Sequence, residues 1–258
     1  SLVMAGGLIG AVIGPNLATR SRTMLDVPFA GAYAALAVVA LTSLVIISLI
    51  RFPATPVQQT RQDDGRSLAE IARQPTFVVS ALTGALSYGV MNLLMAATPL
   101  AMQVCGLSFE NTALVLQWHV IGMFAPGFIT GHLIKRFGTL QVMAVGVVLN
   151  FICIVIALSG IELHQFLLSS FLLGVGWNFL FTGSTTLSLS TYTPAEKDKA
   201  QAALNFCIFG TMAVTSFASG ALVTTQGWSW LNEGSFAPVI IMSLALIWLW
   251  RVRRAQEA

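Results

Sequence analysis

Charge is what this sequence has least of. Among its 258 residues 9% are Asp, Glu, Lys or Arg, against about 25% in an ordinary soluble domain, and 56% are apolar. A soluble fold of this size could not cover its surface with so little charge. No charged residue stands between Phe77 and Val104, or between Thr139 and Ile161. Both stretches exceed the ~20 apolar residues that cross a ~30 Å hydrocarbon core. Lipid is the expected solvent, and interruption by Gly and Pro points to packed helices rather than alternating barrel strands. The expected fold class is therefore an all-α integral membrane bundle.

Other scarcities remove whole function classes. Three cysteines (Cys105, Cys153 and Cys207) fit no disulfide framework or metal spacing and read as small packing residues. The three histidines show no metal-ligand spacing, and no nucleophile elbow or acid–base dyad accompanies the serines and threonines. No enzyme, metal or cofactor is expected. The net charge is only +3 and no basic run is dense, so no nucleic-acid partner is expected either. The chain opens at Ser1 inside an apolar segment, without an initiator Met or a basic leader. We expect the natural protein to extend further in the N-terminal direction.

Eight helical spans can be drawn, at about 2–17, 28–50, 76–103, 113–134, 139–159, 165–190, 195–223 and 236–250. Thr193-Pro194-Ala195-Glu196 reads as a capping box with Pro at the first helical position, opening the seventh span. Ser67-Leu68-Ala69-Glu70 is a second box. It opens a short helix with Leu68, Ile71 and Ala72 on one side, as expected of a helix at the membrane surface. With the C-terminus in the cytoplasm, eleven cations fall inside and only Arg20 and Arg22 outside, a strong orientation signal. Residues 1–50 thus hold two spans, 51–75 form a basic cytoplasmic connector, and 76–258 hold a complete group of six.

Between the fourth and fifth spans the chain reads GHLIKRFGTLQVM, from Gly131 to Met143. This resembles the G-x-L-x-D-R-x-G-R loop motif of the major facilitator superfamily, in the copy between its eighth and ninth helices. Gly131, Leu133, Arg136 and Gly138 match; Lys135 replaces the acid and Thr139 the final basic residue, so the acid's gating role does not carry over. In the first span Gly10, Gly14 and Pro15 resemble the g-x-x-x-G-P-x-x-G-G motif of that superfamily's fifth helix, characteristic of antiporters, with Ala18 and Thr19 in place of the last glycines. Gly6, Gly10 and Gly14 share one face, where another helix can approach closely. From Gly176 to Thr211 the order aromatic, Asn, small residues, Tyr-x-Pro-x-Glu-Lys, Ala-Gln, Asn is similar to the tenth and eleventh helices of bacterial members. The resemblance numbers the spans as helices five to twelve of twelve. It implies an inverted three-plus-three arrangement in the second half, a cytoplasmic (inner) membrane location, and a monomer when full length.

Every acid falls in a connector or at a helix end, so no intramembrane carboxylate is expected in this piece. His119 is the one ionisable residue well inside a span: a proton-coupling candidate or, alternatively, a neutral side chain hydrogen-bonded to a neighbouring helix. The resemblance places helices seven and ten on a central cavity, which makes Tyr88, Asn92, Trp177, Asn178 and Thr182 substrate-binding candidates; Gln117, beside His119, joins them. Trp177 either stacks on substrate or packs against a neighbour. Asn150 reads as structural glue, and Gly89 and Pro99 as hinge candidates. The leading expectation is secondary active transport of a small organic molecule, as proton-coupled export by alternating access, with the coupling carboxylate upstream of Ser1. The alternatives are uptake or facilitated diffusion, and a non-transporting membrane sensor that keeps the fold.

Overall fold

The computed structural model describes residues 2–51 and 65–257. Most of the connector, with Arg61, Asp63 and Asp64, lies outside the described residues. The helices run α1 Leu2–Ser21, α2 Ala30–Leu49, α3 Leu68–Ala72, α4 Pro75–Val104, α5 Phe109–Phe124, α6 Gly127–Phe137, α7 Thr139–Leu158, α8 Leu163–Ser188, α9 Lys197–Thr225 and α10 Gly227–Glu257. Seven spans among the described residues are long and apolar enough to cross a membrane, α5 and α6 together making one of them. The 20-residue α1 adds a further helix.

The core lies in the group α4–α10, where α8 is wedged between α4, α5 and α7 while α4 also contacts α9 and α10. Small residues permit this closeness, as in membrane bundles generally. A Cβ on Gly174 would overlap the His119 carbonyl of α5, and one on Gly122 would lie 2.5 Å from the Phe171 carbonyl of α8. On the opposite side Gly176 and Gly146 bring α8 against α7. Toward α4, Ser184 Oγ donates to the Ser80 carbonyl at 2.6 Å and Ser80 Oγ returns the bond to the Ser184 carbonyl at 3.2 Å. Each hydroxyl so spent is one that lipid need not satisfy.

Several sequence expectations are corrected. The close approach on α1 is at Gly7, whose Cβ would sit 2.7 Å from the Phe124 ring of α5, whereas Gly6, Gly10 and Gly14 face open space. The short α3 has its capping box, but Ile71 is fully buried with Phe77, Ala200 and Leu204 rather than turned to the membrane. Helix α9 starts at Lys197, two residues later than drawn, and the box at Thr193 forms through one arm. Helix α10 starts nine residues early, since Gly227 at φ 86° turns the chain within two residues of α9. Glu233, expected in a connector, therefore lies in the second turn of α10, exposed. Gly89, a hinge candidate, is where α4 meets the Thr211 methyl of α9, and Pro99 sits inside an unbroken helix. Cys207, expected to pack, is exposed. Asn150 is buried, with its amide on the Gly146 carbonyl of its own helix.

Candidate functional site

Spacing of four along α8 places Trp177, Phe181, Thr185 and Leu189 on one stripe. Trp177 and Phe181 stack with ring centroids 5.0 Å apart and planes 9° off parallel. Tyr88 of α4 meets both edge-on, at 5.4 Å and 5.6 Å. Trp177 is only 8% exposed and serves as the back of this wall. Its indole N–H has no hydrogen-bond partner among the described residues, a buried donor that costs free energy until something accepts from it. Tyr88 and Phe181, half-buried, are the rings that a ligand can reach.

Phe181 also lines a cavity of ≈ 330 Å³ between α8 and α9, with Thr185, Ser188, Tyr192, Gln201 and Asn205 among its walls. A larger cavity of ≈ 670 Å³ lies between α1, α4 and α5, lined by Gly14, Pro15 and Pro99, with Gln103 and Thr112 its polar side chains among the described residues. It offers a ligand little orientation. The cavity joined to the aromatic wall is the better candidate, because it combines apolar rings with convergent polar groups.

The remaining candidates are scattered. Asn92 donates to the Met212 carbonyl at 3.2 Å, Thr215 Oγ1 at 3.1 Å and Ser216 Oγ at 2.8 Å, tying α4 to α9. Gln117 accepts from Asn16 of α1 at 3.2 Å. Asn178 is 1% exposed, donates to the Met123 carbonyl and accepts from Thr130 Oγ1, both at 2.7 Å. It braces the break between α5 and α6, where Pro126 supplies no amide proton. Thr182 is half-buried and its carbonyl accepts from Thr185 and Thr186. His119 is 1% exposed and lies 2.8 Å from the Ser170 carbonyl. A carbonyl only accepts, so Nδ1 carries the proton, and Nε2 has no partner among the described residues. Of the motif residues, Gly14 and Pro15 edge the apolar cavity and Gly10 opens into the groove between α1 and α2. Gly138 uses φ 95° to join α6 to α7, Gly131 is open to its surroundings, and Arg136 lies over the Phe137 ring at 5.2 Å.

Phe181, Tyr192 and Gln201 were missed from sequence. The four-residue step from Trp177 was the available signal for Phe181; the other two come together only across the α8–α9 turn. That turn is held by a second cluster. Arg66 in the connector donates through N, Nε and Nη2 to Glu196, at 2.7–2.9 Å, and Nη2 also reaches the Thr191 carbonyl. Thr193 N–H adds a bond at 2.9 Å, the one arm of the expected capping box that forms. The Arg66 guanidinium, then the Thr193 and Arg66 amides, hold the Glu196 carboxyl well below the usual carboxylate range. Glu196 reciprocally raises Arg66.

Comparison with known proteins agrees with this architecture. Over 96% of its length the chain is 41% identical to the riboflavin transporter RfnT of Brucella anthropi, and covers 63% of that protein. It is 26% identical over 100% of its length to the uncharacterized MFS-type transporter YddS of Bacillus subtilis, covering 62% of it. A shorter match, 31% identical over 58% of the chain and 34% of the relative, is to the 4-hydroxybenzoate transporter PcaK of Pseudomonas putida. The chain thus spans less than two thirds of the length of these relatives. No solved structure gives a significant match. Residues 81–258 match the model of the Major Facilitator Superfamily, and the chain belongs to that family.

Proposed function

We propose that the protein takes part in secondary active transport of a small, flat aromatic molecule of the riboflavin class. The observation that carries this is the Tyr88–Trp177–Phe181 wall opening onto an uncharged polar cavity. Aromatic faces bind planar rings with little conformational cost. The 41% identical relative named for riboflavin and the relative named for 4-hydroxybenzoate both support a ring-bearing substrate. In this reading Tyr88 and Phe181 contact the ring, Trp177 backs them, and Thr182 borders them. Asn92, Asn178 and Gln117 position the helices instead of touching substrate. A proton is the proposed coupling ion, and His119 is the proposed group to carry it because its Nε2 is buried and unspent.

Direction rests on less. The incomplete Gly10-Gly14-Pro15 motif supports export, and neither relative's name states a direction. Membrane vesicles of both orientations, prepared from cells that express the protein, should accumulate labelled riboflavin in one orientation only, and only with a pH gradient. Inside-out accumulation means export and right-side-out accumulation uptake. His119→Gln should abolish the response to the gradient while leaving riboflavin binding intact. Binding without flux in either orientation would replace this reading with the sensor.

A further inference from the structure

We infer that the α8–α9 cavity is a subsite for an uncharged polyhydroxyl chain, and that it excludes the phosphorylated or carboxylated form of the same ring. This rests on the transport reading above and specifies the substrate. The cavity adjoins the aromatic wall through Phe181, so a ring against Tyr88 and Phe181 points its substituent along α8 and α9.

The hydrogen-bond balance of the lining decides what that substituent can be. Thr185 Oγ1 already donates to the Phe181 and Thr182 carbonyls, Thr186 Oγ1 to the Thr182 carbonyl, and Ser188 Oγ to the Thr185 carbonyl. With their protons spent on their own helix, these three hydroxyls offer the cavity only lone pairs. Gln201 Nε2 donates to Tyr192 Oη at 3.2 Å, which leaves the second Gln201 amide proton and the Tyr192 hydroxyl proton as donors and the Gln201 carbonyl oxygen as one more acceptor. Asn205, exposed, makes no hydrogen bond within the described residues and offers both ends of its amide. Acceptors therefore outnumber donors.

Among the described residues no cation lines the cavity. Lys197 stands one turn before Gln201 at the start of α9, outside the lining, and Arg66 is committed to Glu196. A row of sugar-alcohol hydroxyls can donate to the surplus lone pairs and accept from the few donors. A phosphate or carboxylate would bring further acceptors and a charge with no partner, and a desolvated unpaired charge is strongly disfavoured.

Fluorescence-quenching titration of the purified chain in lipid nanodiscs tests this with three ligands: riboflavin, lumichrome (the alloxazine ring without the chain) and riboflavin 5′-phosphate. Riboflavin should bind about tenfold more tightly than either of the others, the equivalent of one or two hydrogen bonds. Asn205→Leu should bring riboflavin down to the lumichrome level, with lumichrome itself, held by the rings, reporting that the variant is folded. Asn205→Lys should raise the affinity for the phosphate about tenfold by supplying the missing cation. Equal binding of riboflavin and its phosphate, or an equal loss of riboflavin and lumichrome in Asn205→Leu, overturns the inference alone. Failure of all three ligands to bind overturns the transport reading and the inference with it.

Discussion

Asn178 and Glu196 show how far a residue's partners redirect its role. Both belong to the stretch that resembles the family's tenth and eleventh helices, yet each is engaged with a partner distant in sequence. Asn178→Ala leaves the Met123 carbonyl without its donor, while the Thr130 hydroxyl keeps only the Pro126 carbonyl; this should cost about 1–3 kcal/mol and lower the thermal midpoint in detergent. A normal midpoint with weakened ligand binding would return Asn178 to the substrate site. Glu196 adds a pH dependence whose sign follows from its depressed pKa. In the unfolded chain the carboxyl takes up a proton at its ordinary value, so the stabilisation is complete above that value. It is lost progressively as pH falls from there toward the lower folded value. The midpoint should be level through neutral pH and drop in acid. Glu196→Gln should lower the neutral midpoint and flatten the acid drop; an unchanged acid limb would assign it to other carboxylates. Neither role was legible from local pattern, because Arg66 lies 130 residues from Glu196 and Thr130 lies 48 from Asn178.

At the scale of elements, whatever local chemistry dictates was readable. Ser67 and Glu70 close their box in both directions, and most spans fall close to where the uncharged runs put them. The misreadings arise where tertiary contact decides. Trp228 to Glu233 looked like connector because it mixes Asn, Ser and Glu, but Gly227 turns tightly enough for α10 to begin at once. The glycine face of α1 suggested a packing seam, yet α5 uses the neighbouring Gly7. That junction matters, since α1–α5 is the principal contact between the first two helices and the rest. It is held by the Gly7–Phe124 contact, the Asn16–Gln117 bond and the Arg22–Glu110 pair at 2.7 Å. The pair's side chains are 27% and 54% exposed, so solvent screens it and it should contribute little. A leucine at Gly7 must displace a ring, at about 1–3 kcal/mol. Thermal unfolding of Gly7→Leu and Arg22→Ala should therefore show the larger loss for Gly7→Leu. The reverse order would mean that the Arg22 side chain, through its ion pair and its contact with the Phe109 ring, governs the junction.

For the whole molecule, orientation is fixed by where cations and aromatic rings meet the two membrane surfaces. Short connections make successive spans antiparallel. The described cations therefore gather at one end, Arg51, Arg66, Arg73, Lys135, Arg136, Lys197, Lys199, Arg251, Arg253 and Arg254, against Arg20 and Arg22 at the other. The side-chain contacts agree, with Arg66 meeting Glu196 at the first end and Arg22 meeting Glu110 at the second. Helix α10 supplies an independent ruler. Trp230 and Trp250 are 48% and 43% exposed and stand twenty residues apart, or about 30 Å of helix rise. That matches the hydrocarbon thickness whose borders favour Trp. Arg254 lies over the Trp250 ring at 4.0 Å, placing charge just beyond the second border. A reporter fused after Ala258 should accordingly read the cytoplasm, and one inserted between Ser159 and Gly160 the opposite side. Neutralising Arg251, Arg253 and Arg254 together should leave this orientation unchanged, because the excess at the other connectors still exceeds the two cations opposite. Inversion of both reporters in that triple variant would show that the C-terminal cluster, rather than the sum of the connectors, sets the topology.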